Sequence, residues 1–242
     1  MQTMTKKPDE SATLYDLEFQ QVQGLSWLPW VGHGYSERPS NQRLLVVGES
    51  HYFNGNTPDE RQANRQKWLN YPNYTREVVS ESLINRDWTT RTLSNIPKLL
   101  FRSAEVDTIR LWSDTAFYNF VQRMMDYKQD GQPERPAWDD YLTGWRVFKE
   151  IVGVLRPSHC LFIGVEAAKS FNFGRVSCTK QIGRTWARVA YVDVGGSSIQ
   201  LIFVQHLGKY FSWRQWNDYL HAQHPDLMSW LGSQAYEQRQ NS

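Results

Sequence analysis

The sequence predicts a three-layer α/β/α domain with a central, mostly parallel sheet of about four to five strands. Three observations carry this expectation. Leu44-Leu45-Val46-Val47-Gly48 is apolar without alternation, as in a strand buried on both faces. Further apolar runs alternate along the chain with segments whose hydrophobic residues recur at helical spacing. The 242 residues, 40% of them hydrophobic and 21% charged, suffice for one well-buried core.

Residues 1–13 are polar and predict a flexible N-terminal tail, which leaves 14–242 as a single α/β domain. Residues 14–42 mix Trp27, Pro29, Trp30, Gly32, Gly34 and Pro39, the composition of an irregular leading segment. The first strand is 43–48, and helical patterns follow at 58–70, 75–86 and 91–103. Ile109, Leu111 and Trp112 predict a second strand. It leads into a helix over 115–126 with Phe117, Phe120, Val121 and Met124 on one face. Residues 129–137, rich in Pro and charge, predict a loop. An amphipathic helix is expected over 138–155, halted by Pro157. Next come a strand at 159–165, a short helix at 166–173 and a basic loop with Arg175, Lys180 and Arg184. Two strands, 187–194 and 199–205, are joined by Gly195-Gly196-Ser197-Ser198 in a hairpin-like link, and a Trp-rich helix from Ser212 closes the chain.

A net charge of +2 excludes an overwhelming basic field, so nucleic-acid binding would need a local patch. Eleven Trp, 12 Tyr and 11 Phe suit a densely packed core or a surface that stacks on flat ligands. Cys160 and Cys178 are too few for a disulfide framework. No run approaches the 18 apolar residues of a membrane span, and the N-terminus lacks a hydrophobic signal core; a soluble, cytoplasmic monomer is expected. His221, His224 and Asp226 make a poor zinc set, so no metal site is expected.

Chemistry in open α/β sheets gathers past the carboxyl ends of the strands. Three such ends supply polar groups: Gly48-Glu49-Ser50-His51-Tyr52, then Ser113-Asp114 with Phe117-Tyr118-Asn119-Phe120, and Gln205-His206-Leu207-Gly208-Lys209-Tyr210. The ordered set resembles the uracil-DNA glycosylase superfamily. There, a Gly-acid motif handles water, a later Asn reads the uracil edge and a His follows the last strand. Gly48-Glu49-Ser50 is similar to the Gly-Glu-Ala start of the iron–sulfur-containing members. Tyr52 falls where the best-known branch has a tyrosine that crowds out the methyl of thymine. Ile163-Gly164-Val165-Glu166-Ala167-Ala168 resembles a strand-and-turn element that recurs across the superfamily. The resemblance covers roughly two thirds of the chain, and its departures are specific. His51 stands where the motif usually carries Pro, and Leu207-Gly208 where Pro-Ser is common. The four-cysteine cluster ligands are absent, so no cofactor is expected.

The resemblance implies excision of uracil or a related damaged base from single- or double-stranded DNA. Cutting an N-glycosidic bond needs an anion near the sugar carbon and a donor toward the departing base. Glu49 would orient water or stabilise the cationic sugar, His206 would donate to a base oxygen, and Asn119 offers the donor and acceptor that match uracil. Gly48, Ser50, His51 and Tyr52 complete the motif. Phe53 is the nearest aromatic shelf for a flipped base, with Tyr74 or Phe117 as alternatives. Leu207 or Tyr210 is a candidate wedge into the duplex, while Lys209, Arg214, Arg184 and Arg175 are candidate phosphate contacts. Two other functions fit parts of the pattern. One is a non-catalytic nucleic-acid-binding module on the same scaffold. The other is an α/β hydrolase with Ser50, Asp193 and His206 in triad order, although Tyr52 replaces the glycine its nucleophile elbow needs.

Overall fold

A computed structural model describes residues 10–52, 57–103, 105–128 and 131–234. The elements in chain order are α1 (Asp16–Phe19), β1 (Trp30–Val31), β2 (Leu44–Gly48), β3 (His51–Tyr52), α2 (Pro58–Leu69), α3 (Tyr74–Val78), α4 (Arg91–Phe101), α5 (Thr108–Asp114), β4 (Ala116–Asn119), β5 (Met124–Met125), α6 (Trp138–Leu155), β6 (His159–Phe162), β7 (Ser177–Ile182), β8 (Thr185–Val194), β9 (Ser197–Phe203), α7 (Trp213–Gln223) and α8 (Pro225–Ser233). A π-helical segment, Val79–Asn85, extends α3. Among the described residues no helix is long and apolar enough to cross a membrane.

The central sheet has seven strands in the order β1-β4-β2-β6-β9-β8-β7, not the four to five expected. Its centre, β4-β2-β6-β9, is parallel, whereas β1, β8 and β7 each pair antiparallel with a neighbour. Three of its strands are not announced by the sequence: β1 and β7 at the edges, and β4 beside β1, where a helix is expected. Trp30–Val31 is too short to carry a period, and β7 is exposed at all but its last residue, so it reads as a polar loop. A bulge between Cys178 and Lys180 and the Lys180 charge are the usual protections of such an edge.

Side chains alternate between two helical layers. Leu45 and Val47 of β2 join the core beneath α6 and α1, while Leu44 and Val46 join the core beneath α4, α5, α7 and α8. Burial on both faces accounts for the continuous apolar run. Local signals set the helix starts. Thr57 and Glu60 form a reciprocal capping box ahead of Pro58, and the Thr90 hydroxyl caps α4 by accepting the Leu93 N–H.

The largest correction falls between 107 and 126. Ile109, Leu111 and Trp112 lie on α5, not a strand, because the Asp107 carboxylate caps a helix by accepting the Arg110 N–H. The expected helix over 115–126 is instead β4 and the short β5. Every residue of β4 is buried, with Phe117 facing one core and Ala116 and Tyr118 the other. The helical spacing of Phe117, Phe120, Val121 and Met124 is therefore coincidental. The expected helix at 166–173 contracts to a 3-10 turn, Ala167–Ser170, and the last helix divides at His224-Pro225. Ala12, within the expected tail, is buried and its N–H donates to the Val31 carbonyl at 2.7 Å.

Among the parallel strands the chain order across the sheet is second, first, third, fourth. The direction of winding reverses at β2, so the crevice past the carboxyl ends of β2 and its neighbours is the topological switch point.

Candidate active site

A cleft of about 670 Å³ opens at that switch point and is lined by Glu49, Asn119 and His206 together. This volume falls within the roughly 300–1,000 Å³ of small-molecule sites. Each of the three residues follows the carboxyl end of a parallel strand or terminates it: Glu49 after β2, Asn119 at the end of β4 and His206 after β9.

The acidic group is held from α6. The Tyr141 hydroxyl donates to Glu49 Oε1 at 3.1 Å, and the Glu49 carbonyl accepts the Val121 N–H at 2.8 Å. Burial and the neighbouring Glu49 charge raise the Tyr141 pKa well above its ordinary value, so the phenol remains a donor. Glu49 also lines a small recess with Gly164, in the turn that follows β6.

Asn119 is 6% exposed and faces Gly48, its register partner on β2. A Cβ at position 48 would lie 2.1 Å from Asn119 Oδ1 and 3.0 Å from the Phe117 ring, so only glycine accommodates the carboxamide. The Asn119 Nδ2 atom lies 3.1 Å from His51 Nδ1 and 3.0 Å from Nε2. His51 is itself buried on β3, with Nε2 2.9 Å from Thr75 Oγ1, and is enclosed by Trp27 and Tyr74. Desolvation lowers its pKa from 6.5 to about 3, so the ring is neutral.

His206 sits at the open edge of the cleft. Its Nδ1 accepts the Gly208 N–H at 3.2 Å, which leaves the ring proton of a neutral imidazole on Nε2 as a donor. Gly208 permits this approach, since a Cβ there would meet Nδ1 at 2.9 Å. Desolvation lowers the His206 pKa; Glu49 opposes and Arg135 reinforces that shift. Arg135 lines the cleft from the loop before α6. That loop is pinned by Arg123, which donates to Glu134 Oε1 and Asp140 Oδ2, both at 2.8 Å.

Of the remaining expected residues, Gly48, Ser50, His51, Tyr52 and Lys209 also line the cleft. The Tyr52 hydroxyl donates to the Glu134 carbonyl at 2.9 Å. Phe53 lies outside the described residues, but both alternative shelves, Tyr74 and Phe117, face the cleft. Leu207 cannot serve as a wedge: it is 0% exposed and packs in the core beside α4 and α7, its carbonyl accepting from Asn95 Nδ2 at 2.7 Å. Tyr210 has the opposite character, 83% exposed with φ +64°. Arg175 and Arg184 flank β7 at the far edge of the sheet and do not line the cleft. Thr75, Arg135 and Tyr141 were not foreseen.

The hydrolase triad is not assembled. Asp193 pairs with Ser198 near the start of β9, whereas His206 lies beyond Phe203 at the other end. At about 3.3 Å per strand residue the separation is roughly 17 Å.

No model of a known protein family matches the chain, and no curated protein matches it.

Proposed function

We propose that this chain is a monofunctional base-excision glycosylase that hydrolyses the N-glycosidic bond of uracil or a related damaged base in DNA. The observation that carries this proposal is the convergence of a carboxylate, a carboxamide and an imidazole, from three strand ends, on one cleft. The sequence resemblance points to these same three residues.

In this proposal the nucleotide leaves the stack and its base enters between Phe117 and Tyr74, with Asn119 facing the base edge. The bond from C1′ to the base nitrogen breaks and its electron pair departs with the base. His206 Nε2–H donates a hydrogen bond to a base carbonyl oxygen as that charge develops. Glu49 faces the cationic sugar and directs a water whose oxygen bonds to C1′. One water proton passes through Glu49 to solvent, and the released base anion is protonated by solvent. A positioned acid or base contributes roughly 10²–10⁴ in rate. Lys209 and the exposed Tyr210, side by side at the mouth, are suited to the flanking strand.

Incubation with oligonucleotides carrying uracil, hypoxanthine, xanthine or mismatched thymine tests this. Alkali-labile abasic sites at one of these bases are expected. Salt-dependent binding without base release from any of them would favour a non-catalytic nucleic-acid module.

A further inference from the structure

What an asparagine offers a ligand depends on which way round its carboxamide sits, because one side accepts and the other donates. Here Nδ2 is directed at the His51 ring, while Oδ1 makes no hydrogen bond among the described residues and lies against Gly48 on the cleft wall. A neutral imidazole has one N–H and one lone pair. When Nε2–H donates to Thr75 Oγ1, the lone pair is on Nδ1 and accepts from Asn119 Nδ2. In the other tautomer Nδ1–H would oppose the amide N–H at 3.1 Å, and the Nε2 lone pair, 3.0 Å from Nδ2, would be shared with the Thr75 hydroxyl. His51 has little room to rotate: it is 5% exposed, with the Trp27 ring edge-on at 5.2 Å and Tyr74 at 4.7 Å.

We propose that His51 is a positioning residue that orients Asn119 with its carboxamide oxygen toward the cleft, so that the site selects bases presenting an N–H donor. The selection step rests on the glycosylase function proposed above; the orientation does not. Uracil presents N3–H and hypoxanthine N1–H, each beside a carbonyl that the second Nδ2 hydrogen can serve. Cytosine presents a lone pair at N3, which would face Oδ1 as acceptor against acceptor. Discrimination of this kind is strong because the wrong base leaves buried polar groups unpaired. The His51 that departs from the usual proline of the resembled motif thus has a defined task.

Two experiments test this, one of them independent of activity. In ¹⁵N NMR of the ring, His51 should be the Nε2–H tautomer with Nδ1 unprotonated from pH 5 to 8, and Thr75→Val should perturb that tautomer. An Nδ1–H tautomer in the wild-type protein would overturn the proposal. In excision assays, His51→Leu should lower uracil release and narrow the uracil-to-cytosine ratio by about tenfold or more, the equivalent of one lost oriented hydrogen bond. His51→Gln, whose amide oxygen can still accept from Nδ2, should recover part of that ratio. A folded His51→Leu protein with an unchanged ratio would also overturn it. If the wild-type protein releases no base, the glycosylase function fails, and the NMR tautomer decides the orientation by itself.

Discussion

Gly48 and Asn119 are register partners across β2 and β4, and Asn119 Oδ1 occupies the space that any side chain at position 48 would need. The pairing makes the strand end and the Asn119 amide one unit. Gly48→Ala should displace the carboxamide and overpack a buried site, costing about 1–3 kcal/mol. Thermal unfolding should show a fall of roughly 2–4 °C per kcal/mol for a chain of this size. Excision should fall further than that loss of stability explains. An unchanged melting temperature with full activity would mean that the carboxamide is not confined.

Tyr141 and Glu49 separate positioning from chemistry. Glu49→Gln should lower the excision rate by roughly 10²–10⁴ while DNA binding persists. Tyr141→Phe removes one hydrogen bond to the carboxylate and should cost about 1 kcal/mol, or several-fold in rate. Single-turnover kinetics on both variants distinguishes these sizes. Equal effects would mean that Tyr141 does more than hold Glu49.

In the proposed function His206 acts as a neutral donor. Because its pKa is lowered from 6.5 by desolvation, excision should be flat through pH 7–8, and its acidic limb should lie below pH 6.5. Protonation would place an Nδ1–H against the Gly208 N–H, so the charged form loses its anchor. A limb above pH 7 in the single-turnover rate would contradict this arrangement.

Buried His51 links the site to stability. Its folded pKa of about 3 lies below the unfolded 6.5, so the unfolded state takes up the proton first. Its contribution is full above pH 6.5 and is lost as pH falls toward 3, at up to about 1.4 kcal/mol per pH unit. His224, lowered to about 4, adds to the same slope. Urea unfolding between pH 7 and 4.5 should show the wild-type protein losing stability faster than His51→Gln. Parallel curves would mean that His51 is not buried as a neutral ring.

The parts of the fold legible in the sequence are the continuous apolar run of β2 and the helices with a one-sided period. Residues 138–155 and 91–101 have an apolar stripe, whereas the caps at Thr57, Glu60 and Thr90 come from the structure. Segment 108–126 differs from its sequence reading because β4 has only four residues and ends in polar Asn119, too short for an apolar run, while Phe117, Phe120, Val121 and Met124 fall at helical spacing. The candidate site was legible where polar residues directly follow strands, as at Glu49 and His206. Asn119 is expected on a helix and stands instead at the end of β4. Tyr141, Thr75 and Arg135 left no comparable mark. Two are on helices and one on a loop, and their approach to the strand ends depends on tertiary packing alone. Leu207 misled for the related reason that a leucine in a polar loop looks exposed until the helices that cover it are placed.

The most direct test of the central claim is single-turnover release of uracil from an oligonucleotide by the wild-type protein beside Glu49→Gln, Asn119→Ala and His206→Ala. The wild-type protein should generate abasic sites, and each variant should retain DNA binding while losing most of that rate. Base release that survives all three substitutions would place the chemistry outside this cleft and contradict the account.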